Sequence, residues 1–557
     1  MQTKDLTKEK KLTSPKSRAE EVIDKNGDVV GSRSNFESYW QSLHDYFYVE
    51  SENINRAYYS GTELDFTDLW DTTSLEAADV LASGFMSYLT PPGSKWFNLR
   101  TKNPALMESK PIANYLQDIE AEIYHMLNNS NFYFQINPSY KASGVFGTSI
   151  LLEEDDYKDG ARFYNLPLKQ VGIVEDGRGR VVEYYITFEY TPHQALTRFG
   201  EEKLTTEMKL KMNDRKADKK YPYILYIGER ARRKFDQKNK ENMPIEALWV
   251  DKTAKTIVEE GGYNEMPAMA HRFNKRSFIP WGFSPAMKAL PMARIANTIA
   301  KTNLRTMMKH TDPPIAVPNN SFIMPFNGNP RAINYYKAGS MDSKSIFPFA
   351  NTGNPEVGLT ALEYYNHKVK TLMYNDVFLA FSQVTKQMNN PEIMERINEK
   401  MTLLGPAVGR YMGEVLDPII KRSIGILFRA GRLPEPPDEM VTDPRYEIEY
   451  VSMLAQAQKR TEMNSLMTAL QVVGQMAQIS PEVLDKVNPD KTVDQVWGIT
   501  GAPVHILRDD EEVAKIRENR AQQQAETQKM MMISEGVKAV EGASKVEKNL
   551  ADAKRGG

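Results

Sequence analysis

No cysteine occurs among the 557 residues. That removes disulfides, thiolate metal sites and cysteine nucleophiles, and it fits a reducing compartment. Histidine is scarce: His44, His125, His193, His271, His310, His367 and His505 are all there are, and no two are spaced as metal ligands. They read as solvated or locally hydrogen-bonded. Gly-Lys-Ser and Gly-Lys-Thr are missing, so there is no Walker A phosphate loop, which counts against an ATP-driven motor. The nucleophile elbow Gly-x-Ser-x-Gly is missing too. Long apolar runs are lacking. The longest uncharged stretch, Met463 to Pro481, carries Asn464, Gln471, Gln475 and Gln478; it reads as an amphipathic helix, and no membrane insertion is expected. Met1 to Leu6 has no apolar core and reads as no secretory signal. Excess charge of one sign is also absent: 71 Lys and Arg face 73 Asp and Glu, for a net charge of −2. The whole molecule is therefore no simple polyanion binder.

What is present is the composition of a chain that buries a core, with 41% hydrophobic and 26% charged residues. The length accommodates about three or four domains. Met1 to Ser34 is polar and reads as an extended arm or surface segment. Ile112, Tyr115, Ile119, Ile123 and Leu127 share a helical face. Arg162 to Val258 reads as β-rich: Val171–Val174 and Val181–Ile186 flank an Asp-Gly turn and form a hairpin. Tyr221–Ile227 and Ile245–Val250 add strands, and Thr191 to Phe199 is a short helix between them. Ser284 to His310 is a long helix that Pro291 kinks or starts. Ile315 to Asn354, rich in Pro and Gly, reads as short strands and loops. Val357 to Phe381 is helical, Gln383 to Asn390 is a polar break, and Ile393 to Ala430 is a long helix kinked at Gly405-Pro406. Tyr446–Val451 is a strand, and the chain is mostly helical from Ala455 onward. The fold class is mixed α/β, mainly helical.

Chemistry-bearing motifs are weak. Gly177-Arg178-Gly179-Arg180 lacks the remaining glycine of a dinucleotide fingerprint and suits a hairpin turn better. Gly144-Val145-Phe146-Gly147-Thr148 fits tight helix-to-strand packing better than a phosphate loop. Glu153-Glu154-Asp155-Asp156 could hold a hard cation, but adjacent acids on a strand point to opposite faces, so a solvated turn is the better reading.

Charge segregation is the strongest physical signal. From Met266 to Met341 the only acid is Asp312, against ten Lys and Arg. Arg294, Lys301, Arg305 and Lys309 fall seven, four and four residues apart and lie near one helix face. Such a stripe can follow a phosphate backbone without reading bases. It can equally pair with acids such as Glu356, Glu363 or Asp376 on the next helix or subunit. Arg272 to Arg276 suggest no special role.

The most informative stretch is Leu69-Trp70-Asp71-Thr72-Thr73, followed by Leu81-Ala82-Ser83-Gly84 and by Leu89-Thr90-Pro91-Pro92-Gly93-Ser94-Lys95-Trp96-Phe97-Asn98-Leu99. Asp71, Thr72 or Thr73 can cap a helix whose apolar face is Leu75, Ala78, Leu81, Phe85 and Leu89. Pro91-Pro92-Gly93 stops it, and Trp96, Phe97 and Leu99 continue as a buried strand. These pieces, in this order, resemble the head-to-tail connecting (portal) proteins of short-tailed bacteriophages. His310–Ile315, Glu392–Pro406 and Tyr450–Lys459 resemble further family segments, so the likeness runs from about Trp40 to Gln523. Relatives often carry Thr-Ala before the acid where this chain has Asn389-Asn390-Pro391.

The resemblance implies a portal fold: an arm at 1–34, a wing at 35–282, a first stem helix at 283–310, a clip at 311–354, a second stem helix at 355–381, a tunnel loop at 382–391, the wing's long helix and Pro-rich exit at 392–443, a crown at 444–534 and a tail or barrel helix at 535–557. It implies a homo-oligomeric ring, twelve-fold in the family, at one capsid vertex of the virion, assembled in the host cytoplasm. The ring would pass double-stranded DNA without sequence specificity. Its other partners would be the terminase large subunit, a tail adaptor, the major capsid protein and scaffold or internal core proteins. The DNA-channel residues would be Arg294, Lys301, Arg305 and Lys309, and the tunnel-loop residues Gln383, Val384, Lys386 and Gln387. The clip contacts would be Pro318, Asn319, Asn320, Arg331 and Lys337. No enzymatic activity, cofactor or metal is implied. The alternatives are a tail or capsid structural protein without a conduit, or a metal nuclease using Glu153 to Asp156. At the C-terminus, Asp509–Glu512 suit a helix start, and Met530–Met532 add adaptable apolar bulk. A packed crown helix is expected there, the alternative being a disordered tail after about Ser534.

Overall fold

The computed structural model describes residues 17–51, 68–102, 109–156, 158–212, 219–231, 239–311, 355–384, 404–437, 446–451, 453–477, 481–500 and 512–527, with the pairs 315–316, 347–348 and 529–530 and a few single residues. The helices are α1 Arg18–Phe47, α2 Thr73–Leu89, α3 Lys110–Asn129, α4 Phe132–Phe146, α5 Pro192–Phe199, α6 Thr206–Lys211, α7 Pro285–Thr311, α8 Pro355–Leu372, α9 Asn375–Val384, α10 Asp417–Arg429, α11 Met453–Ala477 and α12 Pro489–Thr500. The strands are β1 Phe97–Thr101, β2 Thr148–Asp156, β3 Gly160–Leu166, β4 Val171–Glu175, β5 Val181–Tyr190, β6 Tyr221–Glu229, β7 Ile245–Asp251, β8 Thr256–Tyr263, β9 Ala268–Arg272, β10 Ile315–Ala316, β11 Phe347–Pro348 and β12 Tyr446–Tyr450. The fold is mixed α/β and mainly helical. Its chain forms two compact units, one of residues 1–96 and 121–433, the other of residues 97–120 and 434–557. Residues 97–120, which lie inside the run expected as a wing at 35–282, belong to the second unit.

In the first unit, β4 to β8 form an antiparallel meander in chain order. The Asp176 carboxylate tightens the β4–β5 turn by accepting the amides of Arg178 and Arg180 at 2.9 and 2.8 Å. Helix α1 lies on this sheet, with Ala19 and Val22 against Tyr185, Ile224, Tyr226, Leu248 and Val250. This corrects the arm expected over 1–34: from Arg18 onward the segment is helix. Ser17 and Glu20 form a capping box at its start, and Arg33 is buried, donating to the carbonyls of Leu168 and Val171 at 2.8 Å each. A second sheet, ordered β3-β2-β9, carries α4 against it. Gly147 ends α4 with φ 83°, and a side chain there would overlap the Gly282 carbonyl. The 144–148 segment is therefore close packing, with no room for a phosphate.

Helix α2 packs against α4, where a side chain at Gly144 would overlap Leu81. Pro291 lies inside α7, which starts at Pro285; the Ser284 hydroxyl accepts the Met287 amide at 3.0 Å and caps it. The helix expected over Val357–Phe381 is broken at Met373-Tyr374, where Tyr374 has φ 60°. The helical stretch from 404 to 429 widens to a π turn at Met412–Leu416. Pro418 has no N–H for the Glu414 carbonyl four residues back, and the wider turn absorbs that loss. In the second unit, β1 and β12 pair antiparallel with Leu99 opposite Ile448, and the Leu99 amide donates to the buried Glu120 carboxylate at 2.6 Å.

Candidate nucleic-acid interface

Helix α7 separates burial from charge. Ala286, Ala289, Leu290, Ala293, Ala296 and Asn297 are buried, whereas Arg294, Arg305 and Lys309 are exposed and Lys301 is half-exposed. At about 100° per residue, the four cations fall within roughly 80° of arc. They are not equivalent. Arg294 stands over the Tyr46 ring at 5.9 Å. Lys301 lies 3.6 Å from the Asp68 carboxylate and 5.4 Å from the Trp70 ring centre. Among the described residues, no ion pair forms between Arg305 or Lys309 and Glu356, Glu363 or Asp376. Lys309 falls in the last turn, where the helix dipole also favours a cation.

The signature residues 69–73 are fixed to the same helix. The Asn297 carboxamide oxygen accepts the amides of Trp70 and Asp71 at 2.6 and 3.2 Å, and its nitrogen donates to the Asp68 carbonyl at 2.9 Å. The Asp71 carboxylate accepts the Thr73 hydroxyl at 2.9 Å. One buried asparagine thus holds the entry to α2 against α7. Its spacing from Ala289, Ala293 and Ala296 puts it on the apolar face, which is the signal that could have singled it out. On α8, a side chain at Gly358 would meet the buried Asn303 at 2.7 Å, so the two helices approach closely. Beside the stripe, Leu304, Met307, Met308, Val357, Leu359 and Tyr364 are exposed apolar residues.

Other expected site residues fare differently. The helix α9 runs to Val384, so Gln383 and Val384 are helical, and the rest of the loop expected over 382–391 lies outside the described residues. Lys386 and Gln387 lie outside the described residues, as do Pro318, Asn319, Asn320, Arg331 and Lys337; of the clip, β10 pairs antiparallel with β11.

The acids 153–156 do not converge. Glu153 is fully buried, accepts the Ser423 hydroxyl at 3.1 Å, and has its carboxyl pushed up to about 8 by burial against the pull of Arg422. The Asp155 carboxylate pairs with the buried Arg422 at 2.6 Å. The Asp156 carboxylate accepts the amides of Lys158 and Asp159 at 2.7 and 2.9 Å. No group of three or more His, Asp or Glu among the described residues is placed to hold a metal ion. Arg272, which carried no expected role, is a buried hub: its guanidinium pairs with Glu175 and Glu414, and its amide donates to Glu414 at 2.9 Å. Next to it His271 is fully buried, its Nδ1 is 2.6 Å from the Ser143 hydroxyl, and burial lowers its pKa to about 3. No helix among the described residues is long and apolar enough to cross a membrane.

The basic helix α7 clamped to the 69–73 signature joins the two segments that stand out in the sequence. The model of the family described as bacteriophage head to tail connecting protein matches residues 20–507, and the chain belongs to that family. It is 27% identical over 530 residues to the portal protein of Salmonella phage epsilon15, covering 94% of each chain. It is 28% identical over 526 residues to the probable portal protein of Bordetella phage BPP-1, covering 92% of this chain and 93% of that one. Proteins of this class belong to the virion and connect head to tail.

Proposed function

We propose that copies of this chain close into a ring, twelve-fold as in the family resemblance, at one capsid vertex. Double-stranded DNA passes through it inward during packaging and outward at ejection. The ring supplies no hydrolysis. The terminase large subunit docks on 311–354 during packaging, a tail adaptor replaces it afterwards, and the major capsid protein and internal core or scaffold proteins surround the ring. Assembly takes place in the host cytoplasm.

The observation that carries this reading is the surface of α7 and α8. Exposed cations of one sign run beside apolar side chains that one chain leaves uncovered. Among the described residues Arg305 and Lys309 form no ion pair, which favours a polyanion, and an uncovered apolar strip favours a neighbouring protein. A cyclic heterologous assembly meets both needs at once, since each subunit offers one face to its neighbour and another to the channel. The polar segment after Val384 is the part proposed to narrow the channel, with Lys386 and Gln387 touching DNA. The deciding experiment is a reconstruction of the infectious particle. Occupancy of a single vertex around a DNA-filled channel is expected; a chain found along the tail or throughout the shell would refute the conduit.

A further inference from the structure

Helix α1 has two unlike halves. The C-terminal half is anchored by large side chains. Trp40 is fully buried, donates its Nε1–H to the Phe146 carbonyl at 3.2 Å and packs edge-on against Trp281 at 5.0 Å. Leu43 and Phe47 are fully buried as well, and Phe36 meets the Phe283 ring edge-on at 6.0 Å.

The N-terminal half is built otherwise. Nine of the ten residues 26–35 are Asn, Gly, Asp, Val or Ser, all weaker helix formers than Ala or Leu. Gly27 and Gly31 have open space where a side chain would begin, so no close approach requires glycine at either position. Asn26 is buried, and its Oδ1 has no hydrogen-bond partner. A helix of this composition is held by what it touches rather than by its own propensity. Its apolar hold is small: within Arg18–Ser32 the buried apolar residues are Ala19 and Val22, with Ile23 and Val29 half-buried against the same cluster. The rest of its hold is ionic. Arg18 pairs with Glu246 at 2.9 Å, Lys25 with Glu183 at 3.9 Å and Glu20 with Lys255 at 3.9 Å, and all three cations are exposed. Arg33 marks the boundary between the halves. Its buried guanidinium is fixed by the Leu168 and Val171 carbonyls and pairs with Glu37 at 2.8 Å.

We infer that Arg18–Ser32 is a strap that lifts from the β4–β8 sheet as a unit, pivoting at Arg33, while the rest of α1 stays docked. Lifting uncovers the apolar face of Tyr185, Ile224, Tyr226, Leu248 and Val250 that the strap packs against. Salt releases it, because exposed ion pairs are screened whereas the Trp40 anchor is not. The device is thus a sheet face covered at low ionic strength and uncovered more often at high, within a subunit that remains folded. It does not depend on the assembly proposed above.

Hydrogen exchange on the full chain tests it. A peptide covering 18–32 should exchange at least about tenfold faster than one covering 36–47, since the two halves open separately. Raising salt from about 0.05 to about 0.5 M should speed exchange over 18–32 by about threefold and leave 36–47 unchanged. Gly27→Ala with Gly31→Ala should slow exchange over 18–32 by about twentyfold, roughly fivefold per site. Uncovering of the sheet is read separately. In Val250→Cys, in a chain with no other cysteine, a thiol reagent should label at the opening rate of 18–32, and the two alanines should protect the thiol. Exchange over 18–32 and 36–47 as one unit, or labelling that follows global unfolding, would overturn the strap. Exchange over 18–32 that ignores salt would overturn the ionic latch.

Discussion

Replacing Asn297 by alanine should loosen the junction between the 69–73 signature and α7. The side chain is 8% exposed and makes three hydrogen bonds, to two amides and one carbonyl of residues 68–71. Truncation leaves the Trp70 and Asp71 amides and the Asp68 carbonyl without those partners. Trp70 is 43% exposed, so water recovers part of the loss, and about 1 kcal/mol per bond is the appropriate figure rather than the full burial penalty. The sum, about 2–3 kcal/mol, corresponds to a local opening roughly 30 to 150 times more frequent. Hydrogen exchange read on a peptide covering 68–74 measures this directly, with a β6 peptide as the unaffected reference. Exchange that rises by less than about threefold would mean that Asn297 does not hold the segment, and the structural account of the signature would fail.

Three other outcomes follow from the structure. Glu153 has a raised pKa, so the folded state holds its proton more tightly, and its contribution to stability is full below 4.5 and is lost as pH rises towards 8. His271 has a lowered pKa, so its contribution is full above 6.5 and is lost as pH falls towards 3. Thermal unfolding should thus show opposing slopes between 4.5 and 6.5, with Glu153→Gln flattening the alkaline side and His271→Asn the acid side; profiles identical to the unaltered chain would contradict both assignments. Gly147→Ala, at φ 83° and against the Gly282 carbonyl, should cost about 2–4 kcal/mol, whereas Gly177→Ala, with open space around it, should change the melting temperature little. In salt titrations of DNA binding, Arg305→Ala and Lys309→Ala should each reduce the slope of log K on log salt by about 0.9, and Lys301→Ala by less because Asp68 already pairs with it; equal slopes in all variants would remove the stripe from the DNA path.

Local patterns in the sequence were legible where one segment decides its own structure. The β4–β5 hairpin follows from alternation around Asp176-Gly177, and the helix at Pro192–Phe199 from its Thr191 cap, whose hydroxyl accepts the Gln194 amide. The helix over Thr73–Leu89 and the stop at Gly93, φ 79°, follow from apolar spacing and Pro-Pro-Gly. What was hidden depends on partners far away in the chain. Asn297 acts on residues 226 and 227 positions earlier. Met1 to Ser34 reads as an arm because it is polar, yet Arg33 within it is buried and donates to carbonyls 135 and 138 positions away. Its capping box, Ser17 to Glu20, was the local clue.

The same distinction decides what the charge pattern means. The basic window from Met266 to Met341 reads as one population of cations, but the fold divides it. Arg272 is neutralised by Glu175 from β4 and by Glu414 from the π turn, so it ties the sheet to the 404–429 helical stretch and has no charge to offer a ligand. Lys275 is likewise committed to Glu175. On α7, by contrast, Arg305 and Lys309 are exposed and form no ion pair among the described residues, while Lys301 faces Asp68. Breaking the buried set should therefore act on stability, since truncating one member leaves a buried charge unpaired, at a cost of about 3–5 kcal/mol. Removing an exposed cation should act on binding and leave folding nearly unchanged. Within the basic window, Glu175 and Glu414 are spent on the buried Arg272, so it is the exposed cations of α7 that a binding measurement has to test.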